Sequence, residues 1–127
     1  RALIARAAGG RDVLPDALRA RGARVDVLAL YETVAEPLDD TARAAATAAD
    51  YLLFTSASSV RFFADAAGPD ALRDPRLASI GPATSAELRA RGAEPDLEAD
   101  PHTPDGLVAA LVRDAAAHRE RWVPRTD

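Results

Sequence analysis

The sequence has no cysteine, no methionine and no lysine, and only two histidines among its 127 residues. The lack of cysteine excludes a disulfide framework, a thiolate metal site and a thiol nucleophile. The two histidines, His102 and His118, do not have the spacing of a metal-binding pair, so no metal is expected. Because residue 1 is not methionine, we expect the chain to be part of a longer protein.

Long apolar runs and an excess of positive charge are also missing. No apolar segment is long enough to cross a bilayer and no signal peptide opens the chain, so we expect a cytoplasmic protein without membrane contact. The formal net charge of −4 argues against a nucleic-acid-binding surface. With 48% hydrophobic and 28% charged residues, the composition is that of a soluble globular domain, and 127 residues suffice for one hydrophobic core.

The most informative stretch runs from residue 77 to 99 and reads as one strand–helix–strand unit. A short apolar run at 77–80 is followed by a Gly-Pro turn and by good helix formers at 83–91. The first turn of that helix leaves backbone N–H groups unpaired beside two hydroxyls, Thr84 and Ser85. In open α/β sheets this edge is where ligands bind, and helix N-termini suit anions.

The rest of the chain alternates the same two kinds of element. Strands are predicted at 1–6, 25–30, 51–54, 77–80 and 94–98, and helices at 11–21, 38–49, 58–67, 83–91 and 105–118. A repeat supports this pattern, because A-L-R-A-R-G-A-R-V-D-V at 17–27 matches E-L-R-A-R-G-A-E-P-D-L at 87–97. The sequence therefore predicts an α/β fold: a flavodoxin-like, five-stranded parallel sheet with helices on both faces. Three turns rich in hydroxyls or small residues, at 55–59, 81–85 and 102–105, would then share one edge of the sheet.

Four segments resemble uroporphyrinogen-III synthase, in that family's order and spacing: L-Y-E-T-V, F-T-S-A-S-S-V-R-F-F, I-G-P-A-T-S-A-E-L-R-A-R-G-A-E-P-D and H-T-P-D-G-L-V-A-A-L. The resemblance covers the C-terminal half of a family member, and it implies two flavodoxin-like domains joined by a two-stranded hinge. Residues 1–30 would be a βαβ piece of the second domain and 31–37 the return hinge. Residues 38–118 would form most of the first domain, and 119–127 a tail.

The resemblance implies a lyase, a cyclodehydratase of porphyrin and haem biosynthesis. It would close hydroxymethylbilane to uroporphyrinogen III with inversion of ring D, and no metal or organic cofactor takes part. The partner would be that linear tetrapyrrole, a flexible polyanion. Because the N-terminal half of the family is missing, we expect this fragment alone to be inactive. Residues 1–30 would fill the gap in the first domain, within one chain or by exchange in a swapped homodimer.

Seven residues are candidates for the site. Tyr31 matches the tyrosine of the family's hinge and is the candidate general acid, although an aromatic at a strand end also packs against its neighbours. The candidate substrate-binding residues follow predicted strands, and helix capping is the alternative role for their hydroxyls: Thr55, Ser56, Ser58, Gly81, Thr84 and Ser85.

Functions of other classes remain open from the residues. The main rival is a non-catalytic flavodoxin-like module that senses a ligand for a regulator, and a basic helix-turn-helix elsewhere in a longer parent would favour it. A receiver domain is disfavoured because no acidic pair follows the first strand and no lysine is present. A flavin-binding flavodoxin is disfavoured because the loop at 7–11 lacks the hydroxyls of a phosphate cradle.

Overall fold

The computed structural model describes residues 1–118 and divides into two compact units, Arg1–Ala35 and Glu36–Asp127. The predicted tail at 119–127 lies outside the described residues. The first unit contains β1 (Ala2–Ala7), α1 (Val13–Ala20) and β2 (Val25–Tyr31). The second contains α2 (Asp40–Ala48), β3 (Tyr51–Phe54), α3 (Ala57–Ala67), a 3-10 turn (Pro69–Leu72), β4 (Arg76–Ser79), α4 (Pro82–Ala90), β5 (Leu97–Glu98) and α5 (Pro104–His118). The predicted alternation of strands and helices is confirmed, and the observed ends differ from the predicted ones by at most three residues.

The prediction of a single five-stranded sheet is wrong. Strands β1 and β2 form a parallel two-stranded sheet, and β3, β4 and β5 form a separate parallel sheet in that order. Local patterns predicted each strand, but strand pairing depends on contacts between residues far apart in the chain, and no local pattern encodes it. The parallel α/β class is confirmed by both sheets.

In the second unit, helices cover both faces of the three-stranded sheet. On one face, Leu77 of β4 packs in a core cluster with Val60 of α3 and Leu88 of α4. Its neighbour Ala78 belongs to another cluster with Leu107 of α5. Successive strand residues point to opposite faces, so α3 and α4 cover one face and α5 covers the other.

The first unit has much less of a core. Within residues 1–35, only Pro15 is buried. Large apolar side chains on all three elements and after β2 are exposed: Leu3, Val13, Leu14, Val27, Leu28, Leu30 and Val34. Strand β1 also has an irregular register with β2 between Arg6 and Ala7. A parallel sheet of two strands with one helix buries little apolar area, so we expect this unit to contribute little stability.

Helix α5 passes very close to the loop that precedes it. A Cβ atom added to Gly106 would lie 1.9 Å from the carbonyl oxygen of Pro101. The same turn is closed by Thr103, whose side-chain oxygen accepts a hydrogen bond from the Gly106 N–H at 3.1 Å and so caps α5. Glycine at position 106 thus lets α5 start directly against residues 101–103. None of the described helices is long and apolar enough to span a membrane.

Candidate functional site

The carboxyl ends of β3, β4 and β5 meet at one edge of the second unit's sheet because the three strands are parallel neighbours. We call this edge, formed by residues 55–59, 80–85 and 99–105, the carboxyl edge. Backbone hydrogen bonds hold its segments together: Ile80 N–H donates to the carbonyl of Phe54 at 3.0 Å, and Ala99 N–H donates to that of Ser79 at 2.9 Å. Six of the seven predicted site residues lie on the carboxyl edge.

The turn between β3 and α3 offers the most hydrogen-bond donors. Ser56 caps the helix, since its hydroxyl accepts from the Ser59 N–H at 3.1 Å and lies 3.1 Å from the Ser58 hydroxyl. Within residues 1–118, no acceptor is present for the N–H groups of Ala57 and Ser58. Thr55 is exposed beside them, and the first turn of α3 carries no acidic side chain. This turn can therefore receive an anion without a cationic side chain.

The turn between β4 and α4 has fewer free backbone N–H groups than the turn between β3 and α3. Pro82 has no N–H, and the N–H groups of Thr84 and Ser85 donate to the carbonyl of Gly81 at 3.1 and 3.0 Å. Among the described residues, this leaves only the N–H of Ala83 free in the first turn of α4. The helix N-terminus that the sequence singled out therefore offers fewer free donors than that of α3.

A buried polar network lies beneath the Gly81 turn. Ser85 is fully buried, and its hydroxyl bonds to Glu98 and lies 2.8 Å from the Ser79 hydroxyl. Ser79 in turn donates to the Gly81 carbonyl at 2.9 Å and accepts from the Gly81 N–H at 3.2 Å. These contacts fix the shape of the turn from inside. Thr84 is also buried, at 3% exposure, so both hydroxyl residues of α4 face the protein.

Sequence reasoning missed Ser79 and Glu98. A signal for Ser79 was present, because a serine inside an otherwise apolar, buried strand needs a hydrogen-bond partner. Glu98 carried no such signal, since it meets Ser85 only through the pairing of β4 with β5.

The turn between β5 and α5 brings His102 to the carboxyl edge. The His102 Nδ1 lies 2.7 Å from the carbonyl oxygen of Ala99. Its ring rests against Gly81, where an added Cβ would meet the ring Cγ at 3.3 Å. The sequence offered no partner for this histidine, because the contact joins two turns from different βα units. In contrast to α3, helix α5 carries an acidic residue, Asp105, in its first turn.

Tyr31 belongs to the first unit, whereas the six candidate binding residues belong to the second. It is the last residue of β2, the residue is 63% exposed, and its carbonyl accepts from the Ala8 N–H at 2.7 Å. Within residues 1–118, its hydroxyl makes no hydrogen bond, so it is available to a ligand. Its role as general acid stays a prediction, as does substrate binding by the other six.

The opposite, amino edge of the second sheet carries a charged network instead. Arg76 makes two hydrogen bonds of 2.8 Å to the Asp114 carboxylate, which also accepts from the Tyr51 hydroxyl at 2.7 Å. Asp96 completes the network with an ion pair of 3.1 Å to Arg76. The hydrogen bonds from Arg76 lower the pKa of Asp114. The pKa of Tyr51 is raised, mainly by burial and also by its hydrogen bond to Asp114. This network ties α5 to the sheet, away from the carboxyl edge.

The cavity that the described residues form lies away from the carboxyl edge. Among residues 1–118, no group of three side chains is arranged to hold a metal ion. A cavity of about 480 Å³ lies on the amino side of the sheet, between the 3-10 turn, the start of β4 and residues 91–96. It does not include any of the predicted site residues.

Comparison with known proteins identifies the family. Residues 1–109 match the family model of "Uroporphyrinogen-III synthase HemD". The chain belongs to the uroporphyrinogen-III synthase family. The matched region includes Tyr31, the six candidate binding residues and His102, but not Asp114 of the amino-edge network.

Solved structures agree at the level of the fold. The uroporphyrinogen-III synthetase of Helicobacter pylori 26695 superposes with a TM-score of 0.71 at 21% identity, over 87% of this chain and 52% of that chain. A uroporphyrinogen III synthase of the extremely thermophilic bacterium Thermus thermophilus gives 0.56 at 24% identity, over 95% and 51%. This chain thus spans about half the length of the structures that it matches. No curated protein sequence matches it significantly.

Proposed function

We propose that this chain is the half of a uroporphyrinogen-III synthase that helps to close hydroxymethylbilane to uroporphyrinogen III. The family match over residues 1–109 carries the proposal, because it spans every candidate site residue. The alternative, a non-catalytic sensing module, has no observation of its own in its favour. A cytoplasmic location and the absence of a cofactor stay part of the proposal.

The carboxyl edge would bind the carboxylates of the substrate. The free N–H groups of Ala57 and Ser58 and the exposed hydroxyl of Thr55 supply donors, and the N-terminus of α3 supplies partial positive charge. This mode of binding suits a chain whose net charge is −4. Ser56 would act by capping α3, and Ser85 by shaping the Gly81 turn through its contacts with Ser79 and Glu98.

Tyr31 would act as the general acid when the hydroxyl of the bilane leaves as water. Its exposed, unpartnered phenol supports this role, since a proton donor has to reach the leaving oxygen. Residues 31–37 would form the hinge between the family's two domains, with 1–30 belonging to the second domain and 38–118 to the first. The boundary between the two units at residue 35 supports this division.

The first experiment gives hydroxymethylbilane to the full-length parent and, in parallel, to this chain, and measures the ratio of isomers III and I. Uncatalysed closure yields isomer I, so we expect mostly isomer III from the parent and isomer I from the chain alone. Isomer I from a folded parent would contradict the proposal and favour the sensing module. Light scattering would test the swapped homodimer, and a monomeric mass at every concentration would exclude it.

Tyr31→Phe in the parent tests the general acid. We expect turnover to fall by about 100-fold with little change in KM, because the phenyl ring keeps the shape and loses the proton. The matched control is Tyr51→Phe, which removes the only other tyrosine hydroxyl, at the amino edge. Equal turnover of Tyr31→Phe and the parent would remove Tyr31 from the mechanism.

A further inference from the structure

The carboxyl edge offers mainly donors, whereas a linear tetrapyrrole needs an acceptor as well. Its carboxylates accept hydrogen bonds, but its pyrrole N–H groups donate them. The acidic residues of the edge are poor acceptors for this purpose. The charges of Asp100 and Asp105 would repel the carboxylates of the same ligand, and Glu98, just before the edge, is already engaged by Ser85.

His102 brings a ring nitrogen to the edge that can accept a hydrogen bond. A carbonyl oxygen can only accept, so the contact of 2.7 Å with Ala99 places a proton on Nδ1. In the neutral ring, Nε2 then carries no proton and accepts a hydrogen bond. His102 is exposed, so this nitrogen can be reached from solvent.

The position of the ring is set by contacts on both sides. Its Cβ and Cγ lie against Gly81, at 3.4 and 3.3 Å from where a Cβ would stand. The loop that carries it is held by Thr103, whose N–H donates to the Pro101 carbonyl at 2.8 Å, and by the close approach of Gly106. The imidazole is therefore fixed beside the β4–α4 turn before any ligand binds, which lowers the entropic cost of using it.

From this geometry we infer that His102 is a further substrate-binding residue, whose Nε2 accepts a hydrogen bond from a pyrrole N–H of the tetrapyrrole. The inference rests on the proposed function, since it concerns the same ligand. It assigns different parts of the substrate to different groups: the carboxylates to the donors of the α3 turn, and one pyrrole N–H to the imidazole.

Two probes separate these contacts. The first is the methylbilane, in which a methyl group replaces the hydroxymethyl group, so that it has the pyrrole N–H groups and cannot close. The second is benzenehexacarboxylate, which has carboxylates and no N–H. We expect His102→Phe, which keeps a ring against Gly81, to weaken binding of the methylbilane by about tenfold, the value of one hydrogen bond, and to leave benzenehexacarboxylate unchanged. His102→Gln should recover part of the loss, because its amide oxygen can accept.

The chain contains its own control. The other histidine, His118, holds the same tautomer through a contact of 2.8 Å between Nδ1 and the carbonyl oxygen of Asp114, at the far end of α5. In nitrogen-15 NMR of the two imidazoles, the methylbilane should shift the Nε2 signal of His102 and leave that of His118 in place. His118→Phe should bind both probes like the unmodified chain.

The outcomes distinguish substrate binding by the carboxyl edge from the specific role of His102. If the unmodified chain binds neither probe, substrate binding by the carboxyl edge fails, and the inference about His102 fails with it. If it binds the methylbilane and His102→Phe binds equally well, the proposed function stands and His102 is not a ligand-binding residue. A loss of both probes in His102→Phe would show that the ring only shapes the Gly81 turn, which also overturns the inference.

Discussion

The two copies of the sequence repeat have the same local structure and different surroundings. Both helices end in Arg-Gly-Ala, and the glycines, Gly22 and Gly92, have φ of 84° and 76°. In both, the next N–H donates back to a leucine carbonyl at 3.0 Å, from Ala23 to Leu18 and from Ala93 to Leu88. The helix ends are therefore determined by the residues of the repeat itself.

Burial separates the two copies. Leu88 has 0% exposure, and it packs in the core formed by α3, α4 and the three-stranded sheet. Leu18 is only half-buried, because the elements of its own unit that α1 can pack against are the two strands of a small sheet. Identical local sequences thus gain very different amounts of free energy from tertiary contacts.

Truncation of the two leucines gives the largest expected contrast. Leu88→Ala should lower the free energy of unfolding of the second unit by about 3 kcal/mol, because it leaves a cavity in a closed core. Leu18→Ala should cost about 1 kcal/mol, since the side chain is only half-buried and its removal leaves no closed cavity. Urea unfolding with hydrogen exchange resolved by residue would measure each unit separately. Equal costs would mean that the first unit is as well packed as the second.

The same contrast applies to one ion pair in each unit. Asp114→Asn should cost about 2 kcal/mol, because the Asp114 side chain is 15% exposed and makes two hydrogen bonds to Arg76. Asp12→Asn should cost less than about 0.5 kcal/mol, because Asp12 is 65% exposed in its pair with Arg6. Thermal unfolding of the two variants at neutral pH would compare them.

The pH dependence of stability follows from the same pair. The pKa of Asp114 is lowered in the folded state by the Arg76 hydrogen bonds. Its contribution is therefore present at any pH above the unfolded value, about 4, and is lost as pH falls through the lower folded value. Asp114→Asn should therefore reduce the loss of stability on acidification, measured as the free energy of unfolding against pH. If Asp114→Asn lost as much stability on acidification as the unmodified chain, Asp114 would not be the source of this pH dependence.

The smallest expected difference concerns the two capping glycines. Gly22→Ala and Gly92→Ala should each cost about 1 kcal/mol, because both force a side chain into a left-handed conformation with nothing within 4 Å to clash with it. Hydrogen exchange of the adjoining helix would report the loss in each unit. A much larger cost at Gly92 would show that the cap depends on the core of the second unit.

Prediction from the sequence succeeded where a few neighbouring residues decide the outcome. The strand at 51–54 and the cap at Ser56 are both local features, and the structure contains each of them. The single five-stranded sheet was wrong because pairing joins segments distant in the chain. At the site, the sequence marked α4 as the best N-terminus, but Pro82 and the Gly81 carbonyl leave it few free donors.

By itself, the sequence determined the alternation of strands and helices, the helix ends and the family, because these depend on short segments and their order. Only the tertiary structure decided which strands pair, that Leu88 is buried while Leu18 is not, and that His102 meets Gly81. The physical reason is that hydrophobic burial and hydrogen bonding between distant segments depend on which surfaces come together in the folded chain.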